Sequence, residues 1–360
     1  MMIWDNMVIQ QTHPINQAKD TQWTTVCSRL WQQNAMIISL SNQQTGHSGP
    51  RPVNLRRDAR QIFQLLDVAF GQSLDRASRR TLDSHLSAAN SGFYVPPILG
   101  PRNFISGFVW EEHERIIGNV SIMRTRSSER CLVANVAVHP SYRRQGIAHS
   151  LMAKAIDHIR EQGASVVLLQ VKEDNKGAQE LYHSLNFETV GSTTHWRLGA
   201  GSGKSLTREN PGIRPLQRHE WQAAYKLDVA SMKPDLNWPD PLTEDAYKGG
   251  FWQWLGGLFG GRQEEHWVTT GAQGKLTGLG GIRSQLGQRH QLWLRVAPAY
   301  RGQLERALLA KLLRRLPTLS YRGASLDHPA DDALTNQLLQ EALFRPDRTL
   351  VTMRLDVAGK

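Results

Sequence analysis

The sequence predicts an α+β chain that carries one folding pattern twice. Short runs rich in β-branched and aromatic residues alternate with segments whose apolar residues recur at helical spacing. One run, SVVLLQV, is continuously apolar over the length of a strand, as expected of a strand covered on both faces. Three segments of the first half also return in order in the second. LLDVAF around Asp67 is echoed by KLDVAS around Asp228, VAVHPSYRR around Pro140 by LRVAPAYRG around Pro298, and HWRL ending at Leu198 by TMRL ending at Leu355, at offsets of 161, 158 and 157 positions. Three echoes at nearly one offset point to a tandem duplication.

Residues 1–50 are polar, rich in Gln, Asn, Ser and Thr, and end in the loop-like SNQQTGHSGP, so they are expected to form a flexible tail outside the core. Met36 just before that loop makes a later start one reading, and an accessory segment bearing Trp4, Trp23 and Trp31 another. From Arg51, PVNL reads as a short strand, and ARQIFQLLDVAF as a helix with Ile62, Leu65, Leu66 and Ala69 on one face. A second helix is expected from Ala77 to Ala88. FISGFVWEE, ERIIGNVSIMR and RCLVANVAV follow as three antiparallel strands. Ile147–Ile159 carries Ala148, Leu151, Met152, Ala155, Ile156 and Ile159 on one apolar face and is expected to be a helix. SVVLLQV is the next strand and KGAQELYHSL the next helix, and Phe187 to Leu198 is read as two further strands. The first domain thus covers 51–198, GAGSGKSLTRENPG over 199–212 is a flexible linker, and 213–357 is the second domain. The tryptophan-rich stretch from Trp238 to Gly261 reads as core, or as the wall of an acceptor pocket.

Composition narrows the chemistry. The chain has 360 residues, 40% of them hydrophobic and 21% charged, which suits a globular protein of two domains. No apolar run is long enough to span a bilayer, and the N-terminus lacks the pattern of a secretion signal, so the expectation is a cytoplasmic protein without a membrane partner. Cys27 and Cys131 are the only cysteines, and the 13 histidines show no ligand spacing, so neither a disulfide framework nor a metal is expected. Cys131 reads as a small buried hydrophobe. The net charge of +11 suits an anionic partner such as a polyphosphate, while a nucleic-acid role has no recognisable module behind it.

The most informative segment is VAVHPSYRRQGIAHSLM, Val136 to Met152, where an apolar strand enters a basic turn that opens a helix. The start of a helix offers unpaired N–H groups and partial positive charge. Gly146 and Ala148 leave room for close approach, and Arg143 and Arg144 add forked cations, so the expected guest is a pyrophosphate.

Arg143 to Ala148, R-R-Q-G-I-A, resembles the R/Q-x-x-G-x-G/A signature of the GNAT superfamily of N-acetyltransferases, and N-x-x-A-x-x-L-Y-x-x-L-x-F from Asn175 to Phe187 resembles its second motif. The resemblance implies an α+β, three-layer fold of two tandem GNAT (acyl-CoA N-acyltransferase) domains, each a mixed, mostly antiparallel twisted sheet flanked by helices. It implies that acetyl-CoA is the co-substrate. Its pantetheine would run along the backbone of Val136, Ala137 and Val138, and its pyrophosphate would meet the amides of Arg143, Arg144, Gln145, Gly146, Ile147 and Ala148. Asn175 would contact the pantetheine or acyl region, and it also suits a plain helix cap. Tyr182 would be the general acid that protonates the departing thiolate, against the alternative of a core aromatic. No carboxylate marks the general base: Glu111, Glu112 and Glu129 are near in the chain, and a water chain or an amine that arrives neutral serves equally.

In the second half Leu304 stands where Gly146 does, Arg306 where Ala148 does, Asp332 faces Asn175 and Leu339 faces Tyr182, so this copy is expected to have kept the fold and lost the site. Tandem enzymes such as mycothiol synthase have a similar arrangement with the active half at the other end. The implied reaction is acetyl transfer from acetyl-CoA to a primary amine of a small molecule or a protein N-terminus. The alternative is a non-catalytic acyl-CoA-binding sensor or interaction module.

Overall fold

The computed structural model describes residues 48–71, 76–90, 106–203, 206, 212–238, 244, 247, 263–285, 287–319 and 322–357. The expected tail, most of the linker and nearly all of the tryptophan-rich stretch lie outside these residues. The described residues fall into two compact units. One takes in those within Met1–Gly100, Ser106–Ser121 and Asn135–Lys154, the other those within Ile122–Ala134 and Ala155–Lys360.

In the first unit, β1 (Gly49–Pro52) pairs antiparallel with β2 (Ser106–Glu112). Next come the start of β3 (Arg115–Arg124), the end of β4 (Arg130–Val138) and the start of α3 (Ile147–Glu161). Helix α1 (Leu55–Phe70) buries Ile62, Phe63, Leu65 and Leu66 against Val109, Ile116 and Ala137, the face its spacing predicts. Its N-terminus is fixed by Arg51, which grips Asp58 with two bonds of 2.7 and 2.9 Å, while Asp58 takes the amide of Asn54 at 2.8 Å. Helix α2 (Arg76–Asn90) follows. The antiparallel turn from β3 to β4 shows in the amide of His139 donating to Ile117 at 2.8 Å.

In the second unit the strand order is β4-β5-β12-β6-β11-β10-β9-β8-β7. The strands are β5 (Val166–Lys172), β6 (Glu188–Leu198), β7 (Arg214–Pro215), β8 (Gln263–Thr270), β9 (Leu276–Ser284), β10 (His290–Val296), β11 (Ala324–Pro329) and β12 (Arg345–Asp356). The helices are α4 (Lys176–Ser184), α5 (Trp221–Ser231), α6 (Glu305–Arg315) and α7 (Ala333–Glu341). Pairing is parallel for β4 with β5 and for β10 with β11, and antiparallel elsewhere. Each sheet is thus mixed and mostly antiparallel, with helices on its faces, as expected.

One expectation needs correction. Phe187 to Leu198 is not two strands: Glu188–Leu198 is a single strand with no turn residue to break it, and the second neighbour comes from far along the chain. β12, the last strand of the second copy, inserts between β5 and β6 of the first, and β6 in turn pairs with β11 of the second. The two copies therefore exchange their final strands. The exchange is symmetric: Arg345 faces Arg197 at one end and Arg354 faces Glu188 at the other, and the equivalent residues Thr193 and Leu350 face one another near the centre.

The echo also extends to a device that sequence patterns did not show. Arg214 grips Glu220 at 2.7 and 2.6 Å, and Glu220 takes the amide of Gln217 at 2.9 Å, repeating the Arg51, Asp58 and Asn54 arrangement. The Arg214 hydrogen bonds hold the Glu220 carboxyl down at about 2.

Candidate active site

The end of β4 is bent before it reaches the basic turn. Asn135 has a φ of 51°, a left-handed backbone that is uncommon for a residue with a side chain. Its carbonyl is held by the side-chain amide of Asn119 at 2.8 Å, and Asn119 and Asn135 both donate to the Ser121 hydroxyl, at 3.3 and 3.4 Å. Asn119 and Ser121 are buried, so this polar cluster fixes the bend from within. Val136, Ala137 and Val138 follow and lead into a 3-10 turn over Pro140–Tyr142, where His139 Nδ1 accepts from the Ser141 amide at 3.3 Å.

The basic turn is open and sharply curved. Arg144 has φ 65° and Gly146 φ 78°, with Arg143, Arg144, Gln145 and Gly146 all exposed. Two left-handed residues so close together turn successive N–H groups toward one side, the geometry of an anion-binding nest. A Cβ on Gly146 would meet nothing within 4 Å, so the space over it is free. The Ser150 amide donates to the Gly146 carbonyl at 3.0 Å as the first helical bond of α3, so the amides at Ile147, Ala148 and His149 precede any intrahelical acceptor. Arg143 is steadied by its Nε, which donates to Val138 O at 3.3 Å. Ile147 is buried and anchors the helix start. Gly118 on β3 makes that possible: a Cβ there would lie 2.9 Å from the side chains of both Ile147 and Leu151.

Val136 to Ala148 thus belong to one unit, and the two other expected site residues belong to the second. Asn175 is the N-cap of α4, its Oδ1 accepting from the Ala178 amide at 3.3 Å. Tyr182 is buried, its ring centroid 6.0 Å from that of Phe187, and burial pushes its phenol above the ordinary tyrosine range, so it keeps its proton at neutral pH. Glu111 is bound to the guanidinium groups of Arg51 and Arg57. Cys131 is buried, which pushes its thiol up.

The corresponding turn of the second copy is built differently. Gly302 keeps the first left-handed position with φ 80°, but Leu304, in the place of Gly146, has φ −109° and ψ −20°. The buried carboxylate of Glu305 takes the Leu304 amide at 3.2 Å, and Arg306 is bound to Glu341 at 2.6 and 2.8 Å. Leu304 packs on the core of that copy. Among the described residues no group of three or more His, Cys, Asp or Glu is placed to hold a metal ion, and no helix is long and apolar enough to cross a membrane.

These features agree with known proteins. Residues 61–187 match the model of the Acetyltransferase (GNAT) family. The [ribosomal protein bS18]-alanine N-acetyltransferase of Escherichia coli is 40% identical over 53 residues, which is 15% of this chain and 36% of that protein. Mycothiol acetyltransferase of Kocuria rhizophila is 28% identical over 142 residues, covering 38% of this chain and 45% of its own length. The chain therefore spans less than half the length of these curated relatives. Among solved structures, a GCN5-related N-acetyltransferase from Sphaerobacter thermophilus aligns with a TM-score of 0.59 at 15% identity, over 88% of this chain and 98% of that one. A tandem GNAT protein from the clavulanic acid biosynthesis pathway aligns with a TM-score of 0.52 at 15% identity, over 87% of this chain and 100% of its own. With the tandem fold shared along most of its length and the family pattern present over residues 61–187, the chain is a two-copy GNAT protein whose first copy belongs to the GNAT acetyltransferase family.

Proposed function

We propose that this protein is an N-acetyltransferase that moves an acetyl group from acetyl-CoA to a primary amine. The observation that carries the reading is the open nest at Arg144 and Gly146 at the start of α3, beside two exposed arginines. Amides of Arg143 to Ala148 would hold the pyrophosphate and Val136 to Val138 the pantetheine. Acetyl-CoA supplies the activated thioester. The acceptor nitrogen bonds to the acyl carbon as the carbon–sulfur bond breaks, the amine proton leaves to solvent, and the Tyr182 hydroxyl gives its proton to the sulfur. A phenol held protonated by burial suits that last role. Asn175 acts through its cap, fixing the helix that carries Tyr182.

The E. coli relative acts on a protein N-terminal alanine and the K. rhizophila relative on a small molecule, so both acceptor classes are carried forward. The second copy is read as structural support, because its own side chains fill the place of the phosphate. CoA release measured from acetyl-CoA with a panel of peptides and small amines tests the proposal. Turnover with any amine supports it. Tight acetyl-CoA binding without turnover favours a sensor, and absence of binding removes both readings.

A further inference from the structure

The face of the sheet where the two copies exchange strands carries polar atoms that the fold leaves unanswered. The register of β4 with β5 ends at Val133 and Leu169, and β5 runs on to Lys172, so Gln170 is the first residue of β5 past that pairing. Its side chain lies on the same face as Leu168 and Lys172. On its other side Gln170 faces Thr352 of β12 and donates from Nε2 to the Thr352 hydroxyl at 3.3 Å. Gln170 Oε1 has no partner although it is shielded from solvent. One row further along the same face, Leu350 lies between Lys172 and Thr193, and the Thr193 hydroxyl is likewise shielded and unpartnered. Gly191, opposite Thr352, leaves the sheet bare there, and the Leu236 methyls lie 3.5 Å from where a Cβ would be, forming a wall on one side. Gln170 and Thr193 are themselves only half-buried, so this floor is reached from one side.

Shielded polar atoms without partners are uncommon in native proteins, and two on one face call for a ligand with matching groups. We propose that this face is the floor of the acceptor pocket: Gln170 Oε1 receives an N–H of the acceptor amine, and the Thr193 hydroxyl meets a second polar group of the same acceptor. The inference rests on the acyltransferase reading and narrows its substrate class. The acceptor is a primary amine with a carbonyl or hydroxyl a few bonds away, such as a peptide α-amine, rather than a plain alkylamine. Thr352, which comes from the second copy, is a positioning residue that aims the Gln170 oxygen outward. An amide does not accept the proton of an ammonium, so Gln170 selects and orients an amine that is already neutral. This gives the second copy a direct part in substrate selection.

Calorimetry with CoA and with two conjugates tests the assignment. In the conjugates the CoA sulfur is joined through an acetyl bridge to the amine of alanylglycine or of propylamine. The full chain is expected to bind the dipeptide conjugate about tenfold or more tighter than either CoA or the propylamine conjugate. Gln170→Leu and Thr352→Val should each remove about five- to tenfold of that gain with CoA affinity unchanged, and Thr352→Ser should restore it. Thr193→Val, an exposed-side change that leaves the Gln170 and Thr352 pair intact, should reduce only the preference for the dipeptide. Equal binding of all three ligands to the unmodified protein, or variants that weaken CoA and conjugate alike, would overturn the inference. Failure to bind CoA at all would instead remove the acyltransferase reading.

Discussion

Gln179 and Asn336 hold their surroundings in the same way in the two copies. The Gln179 side-chain amide donates to the carbonyls of Lys172 and Glu173 at 3.1 and 2.9 Å, and the Asn336 amide donates to those of Pro329 and Ala330 at 3.0 and 3.1 Å. Each pair of carbonyls closes the turn between a strand and the helix that follows, and that helix is capped by Asn175 in one copy and Asp332 in the other. The duplication has therefore kept its local fastenings even where the exposed chemistry has changed.

The strand exchange makes the copies depend on each other. Met353 on β12 is fully buried between β5 and β6. Met353→Ala should cost about 2–5 kcal/mol, the usual range for removing a buried methionine side chain. The expected result in a urea titration is a lower midpoint with tryptophan fluorescence and far-ultraviolet dichroism still moving together. Two separated transitions would show that the first copy folds without its borrowed strand.

Gly146 should be intolerant of any side chain, and for a reason that is conformational rather than spatial. Nothing lies within 4 Å of the place a Cβ would take, yet φ is 78°, so Gly146→Ala carries about 1 kcal/mol of backbone cost. The larger consequence is expected at the ligand, since a methyl group in the nest keeps a pyrophosphate from the amides. Acetyl-CoA affinity measured by calorimetry should fall by about tenfold or more while the melting temperature moves by a few degrees. Unchanged affinity would move the phosphate site elsewhere.

Tyr182→Phe should lower kcat by about a hundredfold with little change in acetyl-CoA affinity, the pattern of a lost proton donor. The pH profile supplies a second test. Burial raises the phenol above its ordinary value near 10, so its protonated form persists past that point. No fall in kcat attributable to this group should begin below about pH 10. A descending limb near neutrality that disappears in Tyr182→Phe would show that the hydroxyl is not shielded as the fold implies.

Much of this was legible in local sequence. Ile147–Ile159 announces its helix through the spacing of apolar residues, and the turn before it through Arg143, Arg144 and Gly146, because a strand, a tight turn and a helix start are all set by neighbouring residues. What stayed hidden depends on distant partners. Nothing in Glu188–Leu198 reveals that its neighbours will be β11 and β12, since strand pairing across the chain leaves no short-range pattern. The bend at Asn135 was equally silent, because it depends on the side chain of Asn119. Gly118 could have been noticed as a glycine inside an otherwise β-branched strand, a signal of close approach by another element.

The second copy carries its own answer to the question of how many cofactors the chain holds. In the first copy the residue after Gly146 is Ile147, buried and apolar, which leaves the helix-start amides for an external anion. In the second, Leu304 is followed by Glu305, whose buried carboxylate already takes the Leu304 amide. A helix start that has an internal carboxylate gains nothing from a diphosphate and would bring like charges together. Calorimetry should therefore find one acetyl-CoA per chain, and Arg144→Glu, which reverses a charge in the first nest alone, should abolish binding altogether. A site that persists in Arg144→Glu would have to lie in the second copy, and adding Leu304→Asp, which sets a further carboxylate at that helix start, would then be expected to remove it.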